Sequence, residues 1–134
     1  MNPVRATDGG SHVILVVDDD SAVRDSLKFM IEVEGFEVNV YSSAHELLND
    51  HSVPANSCLV TDYQMPDMNG LELVSQLRAR QISIPAILIT ANPTETLRNS
   101  AAAVGISIID KPLLGSRLLD AIRKAFDGPK NATL

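Results

Sequence analysis

Several acidic and hydroxyl side chains stand where apolar runs of this sequence end. Asp18–Asp20 follow directly on the apolar run Val13–Val17. Two later apolar runs, "CLVT" and "AILI", lead into Asp62 and Thr90, and a shorter one, "ISIID", leads into Lys111. Adjacent carboxylates repel, and a carboxylate costs free energy in a poorly solvated place, so the acidic run needs a compensating charge.

A phosphoryl-transfer site at which Mg²⁺ supplies that charge would explain these residue types. Mg²⁺ takes oxygen ligands, and it would offset the repulsion among Asp18, Asp19 and Asp62. A carboxylate beside Mg²⁺ can attack a phosphoryl group as a nucleophile and form an aspartyl phosphate. The charge that develops on the equatorial oxygens would be shared by Mg²⁺, Lys111 and the hydroxyl of Thr90.

Each residue also has an ordinary structural interpretation. Asp20 and Ser21 are expected to cap the helix that follows them, because short polar side chains bond the free N–H groups of a first turn. For Asp18 and Asp19, capping and metal binding remain equally open. Asp62 could be an ordinary turn residue, Thr90 a hydroxyl at the end of a strand, and Lys111 a surface lysine. Only their convergence favours a site.

An alternation of strand and helix patterns decides whether these residues meet. Continuous or alternating apolar runs predict strands, and apolar residues at helical spacing predict a helix after each strand. Five strand–helix units imply a parallel sheet with helices on both faces, whose strands end at one common edge, where ligands bind. The predicted strands are 12–17, 36–41, 57–62, 85–90 and 106–110, and the later helices include 94–104 and 115–126.

Length and composition restrict the classes of function. The chain of 134 residues fits one domain, predicted at 12–127 between a mobile tail at 1–11 and a polar tail or linker start at 128–134. A net charge of −6 argues against nucleic-acid binding by this domain. The single cysteine, Cys58, allows no internal disulfide. Because no apolar run could span a bilayer and no signal segment is visible, we expect a cytoplasmic protein without a membrane partner.

Four motifs together resemble the receiver domain of bacterial response regulators, most closely the FixJ-like branch of two-component signalling. The motifs are "VVDDD" at 16–20, "VTDYQMPDMNGLEL" at 60–73, "ILITA" at 87–91 and "DKP" at 110–112. The resemblance covers residues 12–127, almost the whole chain. It implies an α/β fold of the flavodoxin-like, doubly wound (βα)5 type, with a five-stranded parallel sheet in the order 2-1-3-4-5.

The resemblance also implies the identity of the phosphoacceptor and of the metal ligands. Asp62 matches the aspartate that is phosphorylated. Asp18 and Asp19 match the acid pair that holds Mg²⁺ together with Asp62. Gln64 matches the position whose backbone carbonyl completes the metal shell, and its side chain matches one that lines the phosphoryl site and tunes the lifetime of the phosphoryl group.

Further roles follow from the same resemblance for residues near the ends of the last two strands. Thr90 matches the switch hydroxyl, and Lys111 matches the lysine that pairs with the phosphoryl group. Ala91 matches the small residue that keeps the phosphoryl group accessible, and Asn92 matches a second residue that lines the site and tunes lifetime. Pro112 matches a proline whose peptide bond is often cis in the family.

Three features depart from the family pattern. Ile108 replaces the switch aromatic expected three residues before the lysine. The segment 105–111 is one residue shorter than usual, and the helix predicted at 94–104 is small and polar, with Asn92 and Pro93 at its entrance. The phosphorylation chemistry should survive these changes, whereas any switch must run through the packing of Ile108 or through helix 94–104.

The function implied is a phosphoacceptor response regulator rather than an enzyme, since it catalyses only its own phosphorylation and dephosphorylation. A histidine kinase or histidine phosphotransfer protein would donate the phosphoryl group. Phosphorylation would reshape the surface of helix 94–104, strand 106–110 and helix 115–126, which would then bind an unknown downstream protein or drive dimerisation. The domain could act alone, as a chain ending after one domain suggests, or as the receiver of a transcription regulator, as the FixJ-like kinship suggests.

Two alternatives from other classes stay open. One is a receiver-like module that binds partners without phosphorylation, which the missing aromatic favours and the complete site set opposes. The other is a Mg²⁺-dependent phosphohydrolase with an aspartyl nucleophile. Such enzymes usually carry a second aspartate two residues after the nucleophile, where this chain has Gln64, and a substrate cap, for which the chain has no room.

Overall fold

The structure, a computed structural model, describes residues 12–111 and 116–132. The predictions of a mobile tail at 1–11 and of a cis peptide bond at Pro112 lie outside the described residues. Five strands alternate with five helices along the described chain. The strands are β1 Val13–Val17, β2 Glu37–Tyr41, β3 Ser57–Asp62, β4 Ala86–Thr90 and β5 Ser107–Asp110. The helices are α1 Ser21–Val33, α2 Ala44–Leu48, α3 Gly70–Ala79, α4 Glu95–Ala103 and α5 Arg117–Ala132.

The strands form one parallel sheet in the order β2-β1-β3-β4-β5, which confirms the predicted flavodoxin-like topology. β1 and β4 are buried along their whole length, as their unbroken apolar runs predict. β2 and β5 are the edge strands, and both are only partly buried. The alternation of apolar and polar residues in β2 therefore correctly predicted an edge position.

The two faces of the sheet carry separate apolar layers. Helices α2, α3 and α4 cover one face, and their apolar residues pack on Leu15, Leu59 and Leu88. Helices α1 and α5 cover the other face, where Val16 and Val60 belong to the second layer. Because successive side chains of a strand point to opposite faces of the sheet, the register of the central strands fixes which residues face which helix layer.

Polar caps define where the first helix begins and ends. The Asp20 carboxylate accepts hydrogen bonds from the N–H groups of Ala22 and Val23, which confirms the predicted N-cap. At the other end Gly35 has a φ of +97°, a left-handed conformation that a glycine adopts without steric cost. The turn between β1 and α1 consists only of the acidic run 18–20, and the Asp20 cap fixes its junction with the helix.

Helix α2 begins with half of the capping box predicted for it. The hydroxyl of Ser43 accepts a hydrogen bond from the N–H of Glu46, as expected. The Glu46 carboxylate does not return to Ser43. It accepts instead from the N–H and the hydroxyl of Ser42, at 2.6 and 2.8 Å.

Helix α5 ends later than the sequence pattern predicted. It runs from Arg117 to Ala132 and so continues past residue 127, into the segment predicted as a polar tail or linker start. Among the described residues, none of the helices is long and apolar enough to cross a membrane.

A complete capping box begins α3, directly after the loop that follows Asp62. The Asn69 side chain accepts from the Glu72 N–H, and the Glu72 carboxylate accepts from the Asn69 N–H, both at 2.9 Å. The residue types of this segment predicted only a turn, and the cap was missed. The reciprocal pair fixes the point at which the loop 63–69 becomes helix.

We expect Asn69→Ala to lower the free energy of unfolding by about 1 kcal/mol, because it removes an N-cap acceptor from a helix that packs on the sheet. Urea denaturation followed by circular dichroism measures this difference. Asn69→Asp is the matched control, since aspartate caps equally well, and it should stay within about 0.5 kcal/mol of wild type. Equal losses in both variants would contradict a capping role.

Candidate functional site

The acidic residues meet at the carboxyl ends of β1 and β3. Val17 pairs with Thr61 in the sheet, so Asp18, which follows β1, and Asp62, the last residue of β3, lie at the same level of the sheet edge. One carboxylate oxygen from each of Asp18, Asp19 and Asp62 lies within 4.8 Å of the others. The convergence that the sequence predicted for these three residues is therefore observed.

Asp18 is the buried member of this acidic triplet, with 2% of its surface exposed. Burial raises the pKa of its carboxyl above the ordinary value, and the negative charges of Asp62 and Asp19 raise it further. A hydrogen bond from the Asp20 N–H, 2.9 Å from Asp18 Oδ1, and the charge of Lys111 act in the opposite direction. The upward direction of the pKa shift reflects mainly the poor solvation of this buried carboxyl, to which the neighbouring carboxylates add.

This donor set suits Mg²⁺. All three side chains offer carboxylate oxygens, which are the ligands that Mg²⁺ prefers, and a divalent cation would offset the repulsion among the three carboxylates. Asp19 is exposed and Asp62 is only partly buried, so the cluster opens to solvent. Such an opening suits an ion that keeps several of its waters.

Lys111 and Thr90 border the acidic triplet on its other side. The ammonium of Lys111 lies 3.4 Å from Asp62 Oδ2. The backbone N–H of Lys111 donates to the Thr90 carbonyl over 2.8 Å. Thr90 is buried, with 4% of its surface exposed, and its hydroxyl accepts from the Asn92 N–H. β4 and β5 therefore place a cation and a hydroxyl at the same edge as the acids.

The predicted lining residues surround an adjacent opening. Gln64, Thr90 and Asn92 contribute to a cavity of about 280 Å³ between the loop after β3 and the start of α4. Tyr63, Leu97 and Ser100 complete much of its wall. Ala91 is exposed beside it. Their functional roles remain predictions, since only their positions are given by the geometry.

Ile108 occupies a different environment from the other predicted residues. It is partly buried in β5, pairs in register with Leu88, and packs against the apolar layer beneath α2, α3 and α4. Ile108 therefore belongs to the sheet face that supports α4. Any switching role for it would act through packing, as expected from the sequence.

Gly70 is a structural residue of the site that was not singled out from the sequence. A Cβ atom there would lie 2.5 Å from Leu88 Cδ2 and 3.0 Å from the Asp62 carbonyl oxygen. The Gly70 N–H also donates to the Tyr63 carbonyl over 2.8 Å. The first residue of α3 thus packs directly on the backbone that carries Asp62, and only glycine leaves room for it.

Comparison with known proteins shows the family of this fold and site. The family model for the response regulator receiver domain matches residues 14–123. The chain belongs to the receiver domains of response regulators. This finding confirms the resemblance seen in the sequence, and proteins of this family generally act in signalling and bind Mg²⁺ at an acidic pocket.

Similar relatives of this receiver domain include regulators about twice its length. It is 36% identical over 117 residues to the transcriptional regulatory protein FixJ of Rhizobium meliloti, a match that covers 87% of this chain and 57% of that protein. It is 36% identical over 115 residues to the response regulator protein TodT of Pseudomonas putida, covering 85% of this chain and 51% of that one. The receiver domain thus spans about half the length of these curated relatives.

Solved structures agree with this assignment. A crystal structure of FixJ-N superposes with a TM-score of 0.80 at 36% identity, covering 88% of this chain and 95% of that one. Full-length FixJ from B. japonicum superposes with a TM-score of 0.80 at 31% identity, covering 91% of this chain and 61% of that one.

Proposed function

We propose that this receiver domain accepts a phosphoryl group on Asp62 from a histidine kinase or a histidine phosphotransfer protein, with Mg²⁺ bound by Asp18, Asp19, Asp62 and the backbone carbonyl of Gln64. The observation that carries the proposal is the meeting of three carboxylates with one ammonium at the carboxyl edge of the sheet. Family membership supports the phosphoacceptor role in general.

In the proposed transfer, an Asp62 carboxylate oxygen forms a bond to phosphorus while the bond from phosphorus to the imidazole nitrogen of the donor breaks. Bound Mg²⁺ would neutralise charge on the phosphoryl oxygens. Lys111, now 3.4 Å from Asp62 Oδ2, would pair with a second phosphoryl oxygen, and the Thr90 hydroxyl would turn from the Asn92 N–H to donate to a third. Gln64 and Asn92, which line the adjacent cavity, and the exposed Ala91 would border the path by which the donor and water reach Asp62.

The output surface proposed for this domain consists of α4, β5 and α5. The ion pair between Arg98 on α4 and Asp110 at the end of β5 has a separation of 3.3 Å. Because Asp110 precedes Lys111 and pairs with Thr90 in the sheet, movement at the phosphoryl site would reach α4 through these neighbours. We propose that the surface then binds a downstream protein or a second receiver, and that the domain serves a transcription regulator like its FixJ relatives or acts alone.

The proposal predicts a phosphorylated wild-type protein and an unmodified Asp62→Ala variant. After incubation with Mg²⁺ and acetyl phosphate, intact-protein mass spectrometry should show one phosphoryl adduct on wild type, which EDTA suppresses. Asp62→Ala should show none, because no carboxylate remains at the position beside Lys111.

Asp25→Ala is the matched control, because it removes an exposed aspartate of α1 outside the acidic triplet and should keep the adduct. An adduct on Asp62→Ala equal to that on wild type would contradict the proposal. If wild type shows no adduct with acetyl phosphate, and beryllofluoride with Mg²⁺ leaves its backbone amide chemical shifts unchanged, Asp62 is not a phosphoacceptor and the receiver-like module that acts without phosphorylation is the better hypothesis.

A further inference from the structure

Arg24 links helix α1 to the backbone of the acidic site. It lies on the first turn and a half of α1, and its own N–H donates to the Asp20 carbonyl in the helix. Its side chain turns back toward the sheet, where Nη1 donates to the main-chain carbonyl of Asp18 over 2.8 Å. The guanidinium therefore holds the residue whose carboxylate is the buried member of the acidic triplet.

The Asp18 peptide groups are fixed on both sides by this contact and one other. The Asp18 N–H donates to the Tyr41 carbonyl of β2 over 3.2 Å, and the Asp18 carbonyl accepts from Arg24. Asp18 Oδ1 is already occupied by the Asp20 N–H at 2.9 Å. The Oδ2 atom would then be the one offered to a bound cation, and its direction would depend on how firmly the backbone of Asp18 is held.

Glu46 on α2 is an electrostatic neighbour of Arg24. The positive charge of Arg24 is among the causes that lower the pKa of Glu46, after the hydrogen bonds from Ser42. Glu46 is held by those Ser42 bonds, so its negative charge has a fixed position. The contact that fixes the guanidinium itself is the hydrogen bond to the Asp18 carbonyl.

We propose that Arg24 is a positioning residue for the metal site: it does not touch the ion but fixes the backbone of Asp18 so that its carboxylate is aligned for Mg²⁺. The proposal rests on the Mg²⁺ site of the proposed function. Outer contacts that orient metal ligands are typically worth about 10- to 100-fold in metal affinity.

The sign of the effect separates positioning from simple charge. Removing a cation near an acidic site would, through electrostatics alone, tighten the binding of Mg²⁺. Removing the hydrogen bond to the Asp18 carbonyl would loosen it. Because the guanidinium bonds the carbonyl of Asp18 and no carboxylate of the acidic triplet, we expect the positioning effect to dominate.

The test is a titration of the metal-free protein with Mg²⁺ alone, followed by calorimetry or by backbone amide chemical shifts. Arg24→Met keeps the apolar stem and removes the donor, and we expect its Kd for Mg²⁺ to be weaker by about 10-fold. Arg24→Lys keeps a donor and the charge, and its Kd should fall between those of wild type and Arg24→Met. It also keeps the test open if Arg24→Met folds poorly.

Arg78→Met provides a matched control. Arg78 Nη1 also donates to a main-chain carbonyl, that of Val104 at 2.7 Å, but it lies between α3 and α4, outside the acidic triplet. Its removal should leave the Kd for Mg²⁺ unchanged, even if urea denaturation shows the same loss of stability in both methionine variants. A purely structural role for Arg24 would give equal stability losses and no difference in Kd.

The outcomes are distinct. Weaker binding in Arg24→Met, with partial recovery in Arg24→Lys and wild-type binding in Arg78→Met, supports the positioning role. Equal or tighter binding in Arg24→Met overturns that role and leaves the metal site standing. A wild-type protein that does not bind Mg²⁺ overturns the metal site and the role of Arg24 together.

Discussion

Asp18→Asn should stabilise the metal-free protein and, at the same time, weaken its binding of Mg²⁺ by more than about 100-fold. The loss of affinity follows because a direct ligand should matter at least as much as the outer contacts that orient one. The gain in stability follows because the substitution removes a buried charge whose carboxylate neighbours lie within 4.8 Å. A like-charge contact at about 4 to 5 Å costs on the order of 1 kcal/mol even in water.

The substitution is nearly isosteric and keeps the local hydrogen bond. An asparagine Oδ1 can still accept from the Asp20 N–H, which now lies 2.9 Å from Asp18 Oδ1. Without metal, we therefore expect the free energy of unfolding of Asp18→Asn, measured by urea denaturation, to exceed that of wild type by about 1 kcal/mol. With Mg²⁺ at about 100 times its wild-type Kd, wild type gains about 2.7 kcal/mol and the order reverses.

Lowering the pH should reduce the difference between the two metal-free proteins. The pKa of Asp18 is raised in the folded state, mainly by burial, so the folded protein binds the proton more tightly than the unfolded chain does. The penalty of the ionised form is present above the folded pKa and disappears as the pH falls toward the unfolded value of 3.8. Metal-free wild type should therefore approach Asp18→Asn in stability through that window.

Asp25→Asn is the matched control for these measurements. Asp25 is exposed on α1, and its neutralisation changes the net charge of the protein by the same amount. We expect no change in Mg²⁺ affinity and less than about 0.5 kcal/mol in stability. The acidic site would be misassigned if Asp18→Asn bound Mg²⁺ as tightly as Asp25→Asn.

The positions of most residues of this site could be predicted from the sequence, because one topological rule brings them together. Alternating strand and helix patterns imply a parallel sheet, and a parallel sheet brings the carboxyl ends of its strands to one edge. Asp18, Asp62, Thr90 and Lys111 could therefore be placed together without knowledge of a single side-chain contact. The unbroken apolar run of β1 likewise predicted a strand buried on both faces, since polar residues would be costly there.

Side-chain contacts between distant elements could not be predicted in the same way. Whether Arg24 reaches the Asp18 carbonyl depends on rotamers and on the distance between α1 and the sheet, which no spacing in the sequence encodes. Glu46 shows the same limit, because its spacing from Ser43 predicted a reciprocal cap, whereas the carboxylate bonds to Ser42. The Asn69–Glu72 cap was missed because the turn residues beside it gave a stronger local signal.

Gly70→Ala should destabilise the protein, although alanine is the better helix former. Helix propensity alone would favour alanine by up to about 1 kcal/mol. The new Cβ would lie 2.5 Å from Leu88 Cδ2, and Leu88 is fully buried in the layer beneath α3, so neither group can move away freely. Overpacking a core usually costs about 1 to 3 kcal/mol, and we expect a net loss of about 2 kcal/mol in urea denaturation.

The same substitution should impair phosphorylation, because the added Cβ would also lie 3.0 Å from the Asp62 carbonyl oxygen. Displacing that peptide moves Asp62 relative to Lys111, whose ammonium is now 3.4 Å from the carboxylate. An error of about 1 Å in such a site can cost on the order of 100-fold in rate. The rate of adduct formation with acetyl phosphate should therefore fall by more than the loss of folded protein explains.

A double-mutant cycle with Leu88→Ala identifies the contact responsible. Leu88→Ala alone should cost about 2 to 5 kcal/mol, since it leaves a cavity beneath α3. It also removes the Cδ2 atom that the new methyl group would meet, so Gly70→Ala should cost less in that background than in wild type, by at least about 1 kcal/mol. Gly105→Ala, where no atom lies within 4 Å but φ is +75°, should cost about 1 kcal/mol in either background. Additive losses for Gly70→Ala and Leu88→Ala would mean that the contact with Leu88 on β4 does not require the glycine, and that the contacts with Asp62 and Thr61 on β3 do.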